Sequence, residues 1–230
     1  MPKVKHLFLE NNAEAKRLAI TDIHGCSETF SALLEQLRLK KKDQIFILGD
    51  AVNRGPHSSK VLDKMIELER KGYTLFFIRG NHEQIVLKSR KKEEDERRQI
   101  LNSYHSMDLL KNGQIKTKYL DLLKSSVHYI ELDLFFLVHG GFNHRLENPF
   151  GDANSMMNTK RFNANKKYLK NKKVITGHSP KSLATIIEHI RLNNANVCID
   201  NGCVNKVKGQ GNLICMDLDA EFLYVQKNIE

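Results

Sequence analysis

Apolar residues along this chain fall into two rhythms. Short β-type runs at 18–21, 45–48, 75–78, 134–138 and 174–176 are apolar at nearly every position, the pattern of strands buried on both faces. Between the first three runs the spacing changes to three and four. Phe30, Leu33, Leu34 and Leu37 share one face of a helix predicted over 27–39, with Ser27 as its N-cap. Val61, Leu62, Met65 and Leu68 do the same over 58–70, and Gly72 marks the stop. Strand, helix, strand, helix, strand is a βαβαβ start, which implies parallel strands joined by right-handed crossovers. The end of the chain differs. Runs at 197–200, 213–216 and 222–225 are separated by Gly- and Asn-rich turns and predict an antiparallel end to a sheet.

Helical spacing continues through 99–124, after a stretch of mixed charge at 88–98 that reads as a solvated helical face. The expected organisation is one domain over 1–230. About 1–16 form an N-terminal extension and about 88–124 a helical cap at one edge of the site. At 230 residues the chain can bury a sizeable core. The net charge of +10 suits an acidic substrate such as a phosphate ester, and it also suits nucleic acid. Basic clusters such as Lys40-Lys41-Lys42 lack the interleaved aromatics of a nucleic-acid surface, so nucleic acid is not the expected partner. Cys26, Cys198, Cys203 and Cys215 form no CxxC pair and read as reduced thiols. No secretory signal or membrane-length apolar window is visible, and the expected location is cytoplasmic.

The chemistry lies at the ends of the strands. Asp22-Ile23-His24-Gly25 follows the first run and Gly49-Asp50 the second. Gly80-Asn81-His82-Glu83 follows the third, His139-Gly140-Gly141 the fourth and Gly177-His178 the fifth. In open α/β sheets ligands bind at the carboxyl ends of strands, so these side chains are expected to converge. Asp22, His24, Asp50, Asn81, His139 and His178 offer carboxylate, imidazole and amide oxygen without thiolate. That set suits two divalent cations, with Mn²⁺ first and Fe or Zn²⁺ as alternatives, better than Ca²⁺ or a structural zinc. Asp50, on the middle strand of the first three, is the natural bridge between them.

The ordered set resembles the calcineurin-like metallophosphoesterase superfamily, most closely the bacterial and phage-type metal-dependent serine/threonine protein phosphatases. The matching stretches are Thr21-Asp22-Ile23-His24-Gly25, Gly49-Asp50-Ala51-Val52-Asn53-Arg54-Gly55, Gly80-Asn81-His82-Glu83, His139-Gly140-Gly141 and Gly177-His178. The resemblance implies a four-layer α/β/β/α sandwich with mixed sheets. It implies that one metal takes Asp22, His24 and Asp50, and the other Asp50, Asn81, His139 and His178. His82 would be the general acid, Arg54 would grip phosphate oxygens, and Arg161 is the candidate for a second phosphate-binding arginine ahead of Arg145. The implied activity is phosphomonoester hydrolysis by direct attack of a metal-bridging hydroxide, on a phosphorylated protein or a small phosphoester. Symmetrical bis(5'-nucleosyl)-tetraphosphatase activity is the alternative. A non-catalytic module that only recognises phosphate is the more distant one.

Two positions depart from the family pattern. Thr21 replaces a glycine and leaves both ligands of its motif in place. Asn53 stands where the family has Asp, and so orients His82 without a negative charge. An Asn carbonyl accepting from His82 is the expected arrangement. It predicts weaker action on alkyl phosphates, whose leaving group needs a proton, than on aryl phosphates.

Overall fold

The computed structural model describes residues 3–10 and 14–230, and residues 1, 2 and 11–13 of the expected N-terminal extension lie outside it. Two five-stranded mixed sheets stack face to face. The first runs β12 (Phe222–Lys227), β11 (Asn212–Asp217), β2 (Arg17–Ile20), β3 (Gln44–Ile47), β4 (Thr74–Phe77). The second runs β1 (His6–Phe8), β7 (Tyr129–Glu131), β8 (Phe135–Val138), β9 (Lys173–Thr176), β10 (Asn196–Cys198). β2, β3 and β4 are parallel, as the βαβαβ pattern requires. Residues 6–8 pair in parallel with β7 and so belong to the second sheet.

The period-two alternation of the strands builds the layers. In β2 and β3, Leu18, Ile20, Ile45 and Ile47 pack under α1 (Ser27–Leu37) and α2 (Ser58–Arg70). Their neighbours Ala19 and Phe46 point the other way, into an apolar layer shared with Leu137, Ile175 and Val197 of the second sheet. Phe136, Val138 and Val174 leave that sheet on its far side and meet Phe142, Met156 and Leu169. The last two come from α6 (Ala153–Asn158) and α7 (Lys166–Leu169). Three apolar interfaces between four layers of structure give the α/β/β/α sandwich. Each buried strand residue of this size stabilises the fold by roughly 1.5–3 kcal/mol.

Three local expectations are corrected. The three tail strands do not stay together. β10 follows α8 (Leu183–Arg191), a crossover from β9, and therefore pairs parallel in the second sheet. Only β11 and β12 form the antiparallel hairpin. Ser27 is not the N-cap of α1. Cys26 holds that position, and the Glu230 carboxylate accepts from the Glu28 and Thr29 amides instead. The region 99–124 is not continuously helical. α3 (Asn81–Ser89), α4 (Glu94–Ser103) and α5 (Thr117–Ser125) are interrupted by a hairpin of β5 (Leu110–Lys111) and β6 (Gln114–Ile115). Its turn is Asn112-Gly113, both at positive φ, the conformation that a two-residue hairpin favours. No described helix is long and apolar enough to cross a membrane.

Candidate metal centre

The carboxyl ends of β2, β3, β4, β8 and β9 open on one cleft, and Asp50 sits at its centre. His139 Nε2 lies 3.3 Å from Asp50 Oδ2, His24 Nε2 3.8 Å and His82 Nε2 3.9 Å. His24 Nε2 also lies 3.6 Å from Asp22 Oδ1. His139 Nε2 has two more neighbours at 3.2 Å, Asn81 Oδ1 and His178 Nδ1. All six side chains expected as ligands therefore meet here. They form two groups that share Asp50.

The backbone bends hard to place them. Asp22, His24, Asp50, Asn53, Arg54 and His178 all have φ between 49° and 72°, a region that non-glycine residues occupy at a cost. Cross-strand bonds hold these turns. His24 N–H donates to Asp50 O at 2.9 Å, Gly25 N–H to Ala51 O at 2.9 Å, and His178 N–H to the Asp22 carboxylate at 2.9 Å. Glu83 ties the ends of β3 and β4 together. Its carboxylate accepts from the amides of Asp50 (2.8 Å), Ala51 (2.9 Å) and Gly80 (2.8 Å). Thr21, in place of the family glycine, donates its hydroxyl to Asp22 Oδ2 at 2.6 Å. Gly49 is required twice over. Its φ is +93°, and a Cβ there would lie 2.7 Å from His139 Nδ1.

The donor set fits cations. His139 Nδ1–H donates to Leu48 O at 2.8 Å, and His24 Nδ1–H donates to Val52 O at 3.2 Å. A carbonyl only accepts, so in the neutral rings each Nε2 carries a lone pair and points into the cleft. A neutral His139 ring therefore turns its Nε2 lone pair toward Asp50 Oδ2 and Asn81 Oδ1, two further oxygen donors. Burial disfavours a charged ring at His139, yet Asp50 and then Asp22 and Glu83 outweigh it and push its pKa up to about 10. Burial likewise opposes ionisation of Asp50, but His139, His24 and His82 hold its carboxyl well below the usual range. Burial, reinforced by Asp50, lifts Asp22 above its ordinary value. The cleft is thus arranged around positive charge.

His82 lies beside this cluster, with its amide on Asp50 Oδ1 at 3.0 Å. Burial, aided by His24 and Arg54 against Asp50, pushes it down to about 4. Asn53 does not present its carbonyl to the ring as expected. Ser106 donates to Asn53 Oδ1 at 2.5 Å, and Asn53 Nδ2 faces His82 Nδ1 at 3.0 Å. Ser58 completes the chain by accepting from Asn53 N–H at 2.8 Å and meeting Ser106 Oγ at 2.9 Å. With the Asn53 amide in this orientation, His82 Nδ1 accepts and a neutral ring carries its proton on Nε2.

Arg54 is exposed, and no described residue hydrogen-bonds its guanidinium. Arg161 is also exposed but lines a separate cavity of about 280 Å³ with Gly140, Gly177 and Lys181, rather than the metal cleft. Sequence reasoning gave no role to Ser58, Ser106 or Asp200. Asp200 borders the cleft, accepts from Gly202 N–H at 2.7 Å, and is raised well above its ordinary pKa by burial and then by Asp22. Its place in Ile199-Asp200-Asn201-Gly202-Cys203 was the available signal. Nothing in the helical spacing of 99–124 singles out Ser106.

A family model described as calcineurin-like phosphoesterase matches residues 15–213. The chain is 42% identical over 90 residues to a symmetrical bis(5'-nucleosyl)-tetraphosphatase of Wigglesworthia glossinidia brevipalpis, covering 36% of this chain and 32% of that protein. It is 30% identical over 171 residues to one from Psychromonas ingrahamii, covering 71% of this chain and 57% of that protein. The matched part therefore spans less than two thirds of either relative. A crystal structure of a protein assigned as a diadenosine tetraphosphatase superposes with a TM-score of 0.69 at 18% identity, covering 96% of this chain and 97% of that one. At that identity the likeness speaks for the fold.

Proposed function

Because the chain belongs to the calcineurin-like phosphoesterase family, whose members are dinuclear metal-dependent hydrolases, we propose that it cleaves a phosphoanhydride of the dinucleoside polyphosphate class. The observation that carries this reading is the Ser106–Asn53–His82 chain. It holds His82 as a neutral ring with its proton on Nε2. A neutral imidazole is a far weaker acid than an imidazolium. The alkoxide leaving from phosphoserine or phosphothreonine needs a strong proton donor, whereas a nucleotide leaves from an anhydride as a stable anion. The relatives named as symmetrical tetraphosphatases support the same substrate class.

Two divalent cations, held by Asp22, His24 and Asp50 and by Asp50, Asn81, His139 and His178, would supply Lewis acidity and a water of lowered pKa. The chain's own residues do the rest. Arg54, whose guanidinium no described residue engages, offers a planar pair of donors to phosphate oxygens. His82 Nε2–H orients the leaving oxygen. Glu83 and Thr21 keep the carboxylates of the floor in register.

The test is direct. Mn²⁺-loaded protein is assayed on diadenosine tetraphosphate, a phosphoserine peptide and p-nitrophenyl phosphate. The expected kcat/KM for the dinucleotide exceeds that for the peptide by about a hundredfold, the scale of one general-acid contribution. A preference for the phosphopeptide would instead establish the phosphomonoesterase expected from the motif set. A readout independent of turnover is the melting temperature, which should rise with added Mn²⁺ because the native cleft binds it.

A further inference from the structure

Arg54 stands where three spaces meet. It lines the narrow metal cleft with Asp22, His24, Asp50 and His178. On the cap side it lines a groove of about 470 Å³ with Asn81, His82 and Tyr104. It also lines a second groove, of about 580 Å³, along the loop 203–211, whose walls carry Lys206, Lys208 and Lys227. Val204 and Asn205 line both the loop groove and the metal cleft, so the two adjoin.

The loop is held in place. Asn201 Nδ2 donates to Lys181 O at 2.8 Å and to Gly209 O at 2.9 Å, and Asn205 Nδ2 donates to Gln210 Oε1 at 2.8 Å. Glu230, the acid among the lining residues, is turned to the Glu28 and Thr29 amides of α1. The groove is left with a cationic wall on a preformed frame, in the size range that takes a small ligand.

A phosphomonoester has one organic substituent on the attacked phosphorus, and that substituent leaves. An internal phosphorus of a dinucleoside polyphosphate carries two chains, one that leaves and one that stays. The leaving chain belongs on the side of His82, which is the cap-side groove beside Tyr104. The other chain then needs a path away from His82 across Arg54.

Resting on the function proposed above, we propose that the basic groove between Arg54 and the 203–211 loop is the binding subsite for the retained nucleotide arm. Lys206, Lys208 and Lys227 pair with its phosphates. This subsite makes a two-armed anhydride a better substrate than a phosphomonoester of equal reactivity.

The test is the double charge reversal Lys206→Glu with Lys208→Glu, on an exposed loop. Its control is Lys40→Glu with Lys41→Glu, at the opposite end of β3 from Asp50, which changes net charge equally. With Mn²⁺, kcat/KM for diadenosine tetraphosphate should fall about tenfold or more relative to that for p-nitrophenyl phosphate in the loop variant but not in the control. Binding of ADP to protein in EDTA, measured calorimetrically, should weaken in parallel. Equal ratios in the two variants, or ADP affinity indifferent to the loop lysines, overturn the subsite alone. Wild-type protein that cleaves p-nitrophenyl phosphate but leaves diadenosine tetraphosphate intact overturns the function proposed above, and the subsite with it.

Discussion

His128 and His139 lie just beyond the Tyr129–Val138 pair, at the same end of the β7–β8 ladder, and both are buried. Their acidities move in opposite directions. Burial, and then the charge of Arg79, pushes His128 down to about 4, and its Nδ1 accepts from Lys5 N–H at 2.9 Å. His139 feels the same burial, but Asp50, Asp22 and Glu83 pull it up to about 10. One histidine at this sheet end sits in packing, and the next belongs to a cluster of side chains that could hold a metal ion. Burial does not separate them; the carboxylates converging from the first sheet do.

The largest expected effect removes that convergence. Asp50→Asn takes away the charge that both ligand groups share. It should cut Mn²⁺-dependent turnover of p-nitrophenyl phosphate on the order of a thousandfold, several kcal/mol of charge stabilisation. His128→Gln should stay within about twofold of wild type in the same assay, since its hydrogen bond is to the Lys5 amide. A comparable loss in both would erase the contrast.

His128 sharpens the comparison through stability. Its folded pKa lies below the unfolded value of 6.5, so the native state binds fewer protons between these values. Stability is therefore full above about pH 6.5 and declines as pH falls from 6.5 toward 4, by about 2–3 kcal/mol from this ring. Urea unfolding in EDTA at pH 7 and pH 4.5 measures it. His128→Gln should flatten that slope, and an unchanged slope would show that the ring titrates alike in the folded and unfolded chain.

Glu83→Gln tests whether the floor is held by its frame as well as by its ligands. The amide loses one acceptor among three buried N–H partners. The expected cost is about 2 kcal/mol in urea unfolding, accompanied by weaker Mn²⁺ retention. Stability at the wild-type level would mean that the strand ends hold themselves. The smallest effect concerns His82. Asn53→Asp gives its Nδ1 an acceptor. Activity on a phosphoserine peptide should rise about tenfold relative to p-nitrophenyl phosphate, because only the alkyl leaving group needs the stronger acid. Equal changes on both substrates would contradict the role given to the Ser106–Asn53 chain.

Much of this was legible in the chain. The runs at 18–21, 45–48 and 75–78 became β2, β3 and β4 within a residue at each end, because strands buried on both faces have little freedom in composition. Their terminal Asp, Asn and His residues met as their order implied. What stayed hidden depended on contacts between distant segments. Asn112-Gly113 carried a hairpin signal that the surrounding helical spacing masked. The partner of β10 turned on a crossover, which run lengths do not encode.

By itself the sequence determined which side chains stand at the ends of buried strands, and so the donor set and its suitability for divalent cations. It could do so because strand periodicity and strand-end chemistry are local properties. Only the tertiary structure decided that Ser106 turns the Asn53 amide toward His82, that Glu230 caps α1, and that Arg54 parts two grooves. Each of these depends on which residues, tens or hundreds of positions apart, are brought within one hydrogen bond's length.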